Sequence, residues 1–461
     1  MNPDTATSTQ ERIETAVLPS APPGPARWPL VGNLPGLLWG GMGWLTSQEA
    51  AFGDIYTLDL GAQRAVLLSH PDYAQHVLRT HARNYVKQGT FWSSVRSLLG
   101  QGLPTSEGEL WKKRRKMMNP QFRKNRVQQL GQVMAEVIAE QLDAWPAEGQ
   151  VVKGSHLVNQ VTMAVIVRTM FGTGLSVAQS DAITEAMSFS LDHMLQKVFT
   201  DALPSWVPVP GRRAHREAVA RIDEVLYAVL EKRRAGAPGN DLLTMMMLMR
   251  DEESGKGLSD VDLRDETMSL FVAGYETTAT AVSWVIDRMA SDPAFAATLQ
   301  EEADRVLGDR PPQARDAQAL PYARRVFQET LRMQGPVYFL AREAVEDDVI
   351  GGHHIEAGSL VSLMLNRIHR HPAAWDDPET FDPDRFLPER SKGRHPCAFV
   401  AFGAGQRQCI GKGFALLEGT LLLSAIAQRF RFEPVSGKQA AEQYAITYRP
   451  RNGMPLRIYQ R

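Results

Sequence analysis

The ten residues Phe402-Gly-Ala-Gly-Gln-Arg-Gln-Cys-Ile-Gly411 combine three features that bear on one another. Gly403 and Gly405 permit a tight turn and a close approach of the backbone to another group. Arg407 supplies a cation. Cys409 stands where a helix is expected to begin, so orphan amides and the positive end of that helix would stabilise an anionic sulfur. Gly411 leaves room for a flat object against the backbone. A thiolate placed this way is a good ligand for a soft or redox-active metal. The plainer alternative is a buried cysteine acting only as a small hydrophobe. The glycine spacing fits neither the G-x-G-x-x-G dinucleotide pattern nor the G-x-x-x-x-G-K-S/T phosphate loop.

The rest of the chain bounds what such a site can serve. With 461 residues and 43% hydrophobic content, a large core is feasible. The 51 basic and 52 acidic side chains give no global field for nucleic acid. Two cysteines, Cys397 and Cys409, cannot form a disulfide framework, and a reducing, cytoplasmic setting is expected. Residues 1–20 read as a flexible tail without the apolar segment of a signal peptide, and 21–461 as a single domain. The apolar window Trp28–Leu45 is broken by prolines, glycines and Asn33, so it does not read as a bilayer span. Its stretch Leu37–Trp44 is expected to pack into the core; the alternative is contact with a membrane surface or a hydrophobic substrate entrance.

The pattern predicts a mainly α protein with a minor β-rich lobe. Strands are expected near Ile55–Leu60, Ala65–Leu68, within Phe339–Leu365, and at Ala445–Tyr448 and Pro455–Tyr459. Helical periodicity dominates from Glu107 to Arg332, and a last helix from Gly411 to Arg429. The segment His371–Pro396, rich in proline, is too long for an idle connection. Leu258–Ser291 reads as one helix, capped by Ser259 with Asp262 and ended by Asp292-Pro293. Its middle is apolar on nearly all faces, as in a helix that crosses the interior, yet it contains Gly274, Glu276, Thr277 and Thr278. A buried carboxylate needs a partner or a purpose.

Taken together, these strings resemble the cytochrome P450 family of haem-thiolate monooxygenases. FGAGQRQCIG is similar to that family's cysteine loop at every position, which implies haem b (iron protoporphyrin IX) with Cys409 as the iron ligand, Phe402, Gly403 and Gly411 around it, and Arg407 on a propionate. Glu329-Thr-Leu-Arg332 resembles the E-x-x-R motif, and Phe381-Asp-Pro-Asp-Arg-Phe386 the element whose arginine, Arg385, completes a structural cluster with Glu329 and Arg332. Ala273-Gly-Tyr-Glu-Thr-Thr278 resembles the acid–alcohol motif, implying proton delivery by Glu276 and Thr277. Trp111 with Arg115, and Arg342, fall where propionate contacts are usual. Gly335 departs from the family's usual proline.

The resemblance implies insertion of one oxygen atom from O2 into an apolar small molecule, a fatty acid or a terpenoid. Phe271, Ala273, Val337, Phe339 and Ile446 are expected to face it, with Phe91 and Val95 as weaker candidates. No flavin or nicotinamide domain fits in the chain, so electrons are expected from a separate ferredoxin or flavodoxin system. Eight bases between Leu110 and Val127 offer a docking patch for an acidic partner; the alternative is a solvated helix face. No nucleic-acid partner, no integral membrane association and a monomeric state are expected. A peroxide-driven peroxygenase, or a non-catalytic haem sensor or carrier, stand as alternatives. His369 with His371, and His353 with His354, lack a third ligand at zinc-like spacing and read as surface or structural. Cys397 reads as a buried hydrophobe. No G-x-S-x-G elbow supports a hydrolase.

Overall fold

The interior helix spans Asp260–Ser291. The Ser259 hydroxyl accepts the Asp262 amide and the Asp262 carboxylate accepts the Ser259 amide, so two orphan donors are satisfied reciprocally. Asp292 ends this helix and caps the next, Pro293–Leu307, whose first-turn proline lacks only a proton that would be unpaired there. Gly274 serves packing. A Cβ on it would lie 2.7 Å from Ile166 Cδ1, so its absence lets the helix Gly154–Phe171 close against the central one. The computed structural model describes residues 19–461 apart from 62, 147, 173–174, 176, 201–206, 237–238, 436 and 438. Residues 1–18, nearly all of the expected tail, lie outside the described residues.

The β-rich lobe is built around a five-stranded sheet. Ile55–Asp59 and Arg64–Leu68 form a hairpin, with Ile55 opposite Leu68. Arg64–Leu68 then pairs in parallel with Leu360–Met364, and that strand pairs antiparallel with Phe339–Ala344, which meets Tyr85–Val86 at the edge. A parallel pair needs a crossover. Here the crossover includes most of the helical body, because the chain touches the sheet again only briefly at Tyr85–Val86 and then returns at Phe339. One face of the sheet buries Val66, Leu68, Val361 and Leu363 together with Cys397, Val400 and Ala404. Cys397 is thus the small buried hydrophobe expected, and the cysteine loop grows out of the same core.

Two expectations are corrected. The strand foreseen at Ala445–Tyr448 is a reversal. Glu442–Tyr444 and Tyr448–Pro450 are the strands, and residues 445–447 turn between them, with the Ala445 amide bonded to Thr447 O at 3.1 Å. The turn holds because Tyr338 Oη donates to Ala445 O at 2.8 Å and Thr447 points inward to a buried carboxylate. The second concerns Leu37–Trp44, which belongs to the helix Leu34–Phe52. Its inner side chains, Leu37, Met42 and Trp44, pack on Tyr56, Leu58 and Met364, but Leu38 and Trp39 stand in solvent. The element kinks at Gly41 (φ 52°), and its first part, Leu34–Gly40, carries no polar side chain at all, so the side turned away from the sheet is apolar too.

The final helix spans Lys412–Arg429, and a three-stranded sheet of Gln150–Lys153, Pro455–Gln460 and Phe430–Pro434 closes the chain. Among the described residues no helix is long and apolar enough to cross a membrane.

Candidate active site

The cysteine loop depends on its glycines. Gly405 has φ +66°, and a Cβ there would lie 2.1 Å from Leu78 O, so only glycine fits. Gly403, at φ +68°, makes the preceding turn. The Cys409 amide donates to Phe402 O at 2.8 Å, closing the loop on itself. The thiol is accessible at its surface, yet protein surrounds it closely enough that desolvation is the largest influence on it, as at the wall of an internal opening. Burial pushes the thiol up. The Gly411 amide, Arg115, Lys412 and Lys87 oppose that by favouring the thiolate. A Cβ on Gly411 would lie 3.8 Å from the sulfur, on ground a flat guest would need.

The central helix offers a second accessible interior surface. Ala273 is exposed and Thr277 half-buried, one turn apart on one face, while Phe271, Tyr275, Glu276 and Thr278 around them are buried. Thr277 Oγ1 donates to Ala273 O at 2.6 Å. Glu276, one residue back, points elsewhere. Its Oε1 accepts a proton from Thr447 Oγ1 at 2.6 Å and lies 3.7 Å from Arg449, which also pairs with Asp192 at 2.6 Å. Glu276, Arg449 and Asp192 line a polar cavity of about 210 Å³ with Asn159, Ser188, Thr280 and Ser283. Burial raises the Glu276 pKa, against the bonds from Thr447 and Arg449. The cavity lies behind the helix rather than on the Ala273–Thr277 face.

A third feature is a surplus of positive charge. Lys87, Arg342 and Arg407 influence one another electrostatically, with Glu107 as the acidic neighbour. Arg407 pairs with Glu107, donates to Ser106 O at 2.8 Å, and stacks 3.9 Å over the Trp111 ring. Arg342 reaches only Ala341 O, at 2.7 Å. Lys87 Nζ reaches Pro104 O at 2.6 Å. Burial and mutual repulsion push Lys87 well below its ordinary range and Arg342 down to about 10. Three cations against one carboxylate leave two charges uncompensated, which is costly in a desolvated setting. A guest carrying two carboxylates would offset them.

The loop is fixed from behind. Arg332 and Glu329, both fully buried, share two bonds of 2.7 Å, and Arg385 Nε lies 3.6 Å from Glu329 Oε1. Arg332 also donates to His369 O, Pro378 O and Thr380 O, and Arg385 to Asp376 O and Asp377 O. The proline-rich segment is thereby held by its carbonyls. His369 Nε2 accepts the Val400 amide at 3.0 Å, and the Val400 carbonyl accepts the Gly403 amide at 2.8 Å. Burial drives His369 down to about 3, so the ring stays neutral and keeps accepting.

The structure therefore brings Arg342 and Arg407 together, stacks Trp111 on Arg407, and sends Arg115 to the cysteine loop, where it donates to Gln408 O at 2.8 Å. Phe402 lies at the base of the loop, partly buried. Phe339 packs against Phe91 at 5.6 Å between centroids, and Val337, Val95 and Ile446 are half-buried. Phe271 faces away from Ala273, in the core with Phe171 and Tyr275. Sequence reasoning missed Lys87, Glu107, Thr447 and Arg449, none of which belongs to a local pattern, whereas His369, read as surface or structural, is buried and bonded to the Val400 amide. The basic stretch is smaller than its composition suggests. Arg114 is buried against Asp262 and Glu266, and Lys112, Lys113 and Lys116 pair with Glu109, Asp251 and Glu252. Among the described residues Arg123, Lys124 and Arg126 carry no ion pair.

These features fit a haem: an accessible sulfur with an open face beside it, an accessible helix turn, and a cationic surplus suited to two propionates. A family model described as cytochrome P450 matches residues 22–453. Cyclooctatin synthase of Streptomyces melanosporofaciens is 32% identical over 410 residues, covering 88% of this chain and 89% of that protein. Cyclooctat-9-en-7-ol 5-monooxygenase of the same organism is 31% identical, covering 90% of each. Pentalenene oxygenase of Streptomyces avermitilis is 28% identical, covering 90% and 92%. The crystal structure of the cytochrome P450DA heme domain matches with a TM-score of 0.86 at 26% identity, over 96% of this chain and 98% of that one. The chain belongs to the cytochrome P450 family of monooxygenases.

Proposed function

We propose that the protein binds haem b through Cys409 and inserts one oxygen atom from O2 into an apolar, terpenoid-like molecule, with electrons from a separate ferredoxin or flavodoxin system. The observation that carries this reading is the central helix turn, where an accessible Ala273–Thr277 face is backed by a buried acid in a polar cavity. When bound through a thiolate, haem supplies oxygen activation and O–O cleavage. The protein's part is positioning and protons. Thr277 Oγ1 donates to Ala273 O, which leaves its lone pairs free to accept a hydrogen bond from a water held beside the turn. Glu276, with its pKa raised by burial, can hold a proton and release it. Arg115 and the Gly411 amide favour the anionic sulfur. Phe339, Phe91 and Val337 supply apolar surface that excludes water.

Relatives named for cyclooctat-9-en-7-ol and pentalenene favour terpenoids over fatty acids. The test is a titration of the ferric protein with terpene and fatty-acid panels, reading the low-to-high-spin change. Terpenes should give the change at lower concentration. A response to fatty acids alone would overturn the terpenoid assignment, and turnover with hydrogen peroxide but not with reduced ferredoxin or flavodoxin would favour the peroxygenase alternative.

A further inference from the structure

We propose that the turn Trp28–Gly32 and the first half of the helix Leu34–Phe52 form a lipid-docking face, by which the protein rests peripherally on a bilayer. Leu30 is 99% exposed, Trp39 85%, Trp28 63%, Leu38 61% and Val31 43%. Of the thirteen large hydrophobic side chains exposed among the described residues, five fall within these twelve positions. Isolated exposed hydrophobes need no explanation, but a contiguous group of them marks an interaction site. Leu30 lies in the turn, at φ +66°, and Leu38 and Trp39 follow on the adjoining helical segment before its kink at Gly41.

The chemistry of the occupant follows from charge. From Trp28 to Gln48 no side chain is charged. The flanking charges are already engaged, Arg27 with Asp59 at 2.8 Å and Glu49 with Arg367. No unpaired cation or anion within this stretch is left to recognise a charged peptide or an acidic headgroup. Two tryptophans, each an apolar body with one N–H donor, suit the boundary between acyl chains and polar headgroups. A second copy of the chain fits less well, because a stable interface takes about 800 Å² and some 20–30 residues per partner on a matched surface. The inner side of the same helix packs through Leu37, Met42 and Trp44 into the cluster holding Phe339, and Phe339 packs on Phe91. The docked face is thus one helix away from residues proposed to meet the substrate, although the docking itself does not depend on that assignment.

The experiment is flotation of the haem-loaded, full-length protein with phosphatidylcholine vesicles and, in parallel, vesicles containing phosphatidylglycerol, at low and high salt. Both should bind, with little salt dependence. L30S/W39S should weaken partition at least about tenfold while leaving the Soret spectrum and thermal midpoint unchanged, since both side chains stand in solvent. Quenching of tryptophan fluorescence by brominated lipid should fall in W39F. No flotation with either vesicle would overturn the proposal, as would equal partition of the double variant or binding confined to anionic vesicles and abolished by salt. So would a dimer that L30S/W39S dissolves without any lipid binding by the original protein.

Discussion

Replacing Arg332 by lysine separates geometry from charge in the cluster behind the cysteine loop. The guanidinium donates to five acceptors: Glu329 Oε1 and Oε2, each at 2.7 Å, His369 O at 3.0 Å, Pro378 O at 2.7 Å and Thr380 O at 3.1 Å. An ammonium has three donors, so at least two buried acceptors lose their partner, each costing about 1–3 kcal/mol. The expected loss is about 2–6 kcal/mol. Glu329 keeps a counter-charge, so the further ~3–5 kcal/mol of an abandoned buried charge is avoided. Arg332→Leu incurs both, which rivals a total stability of about 5–15 kcal/mol. Urea unfolding of the haem-loaded protein, followed by Soret absorbance and circular dichroism, measures the difference. Because the lost bonds hold residues 369–380, and His369 holds Val400, the reduced carbon-monoxide spectrum of a thiolate-bound haem should fail before the helical signal does. A lysine variant within about 0.5 kcal/mol of the original, with a full thiolate spectrum, would refute this reasoning.

Cys409→Ser should abolish the reduced carbon-monoxide spectrum of thiolate ligation, measured on purified protein after haem reconstitution. Thr277→Ala should keep spin-state titration and oxygen consumption while product per electron consumed falls at least about tenfold, the scale of a lost proton-transfer group; product and peroxide assays on one sample decide it. Glu418 is fully buried with no ion-pair partner among the described residues, and burial, opposed only by the nearby Thr278 hydroxyl, raises it to about 8 from 4.5. Between those values the unfolded chain binds fewer protons, so stability falls as pH rises, by up to about 1.4 kcal/mol per unit. Glu418→Gln should therefore stabilise the protein by roughly 2–3 kcal/mol at pH 7 and flatten the decline between pH 5 and 8 in urea titrations. Gly405→Ala meets Leu78 O and a left-handed backbone, and should cost at least about 2 kcal/mol and reduce haem occupancy, whereas Gly413→Ala, whose Cβ would lie 4.0 Å from Val127, should be neutral in the same assays.

What could be read from the sequence was local. Ser259 and Asp262 are three residues apart, as are Glu329 and Arg332, and helical geometry fixes such pairs wherever the rest of the chain goes. The cysteine loop was legible for the same reason, since its glycines and its helix start act within ten residues. The cationic surplus was not, because Lys87, Arg342 and Arg407 come from three distant segments and nothing near Lys87 announces that it will be enclosed. The basic stretch at 110–127 shows the same limit from the other side. The acidic partners of Lys113, Arg114 and Lys116, at 251, 252, 262 and 266, lie more than a hundred residues away, so the first half of the run is matched while, among the described residues, Arg123, Lys124 and Arg126 are not.

The central helix shows how adjacency in sequence and adjacency in function part company. Successive residues on a helix are turned by about 100°, so Glu276 and Thr277 cannot face one guest together. Thr277 shares its face with Ala273, four residues back, and Glu276 shares its own with Thr280 and Ser283, which line the polar cavity. Phe271, two residues from Ala273, is carried to the far side by the same rotation. An acid and an alcohol side by side in the chain thus face two sides of one helix, the acid toward Thr447 and Arg449, the alcohol toward the accessible turn. A proton passing between them has to go around the helix rather than along it. The C-terminal turn at 445–447, where a strand was expected, is what supplies Thr447 to the acid's side.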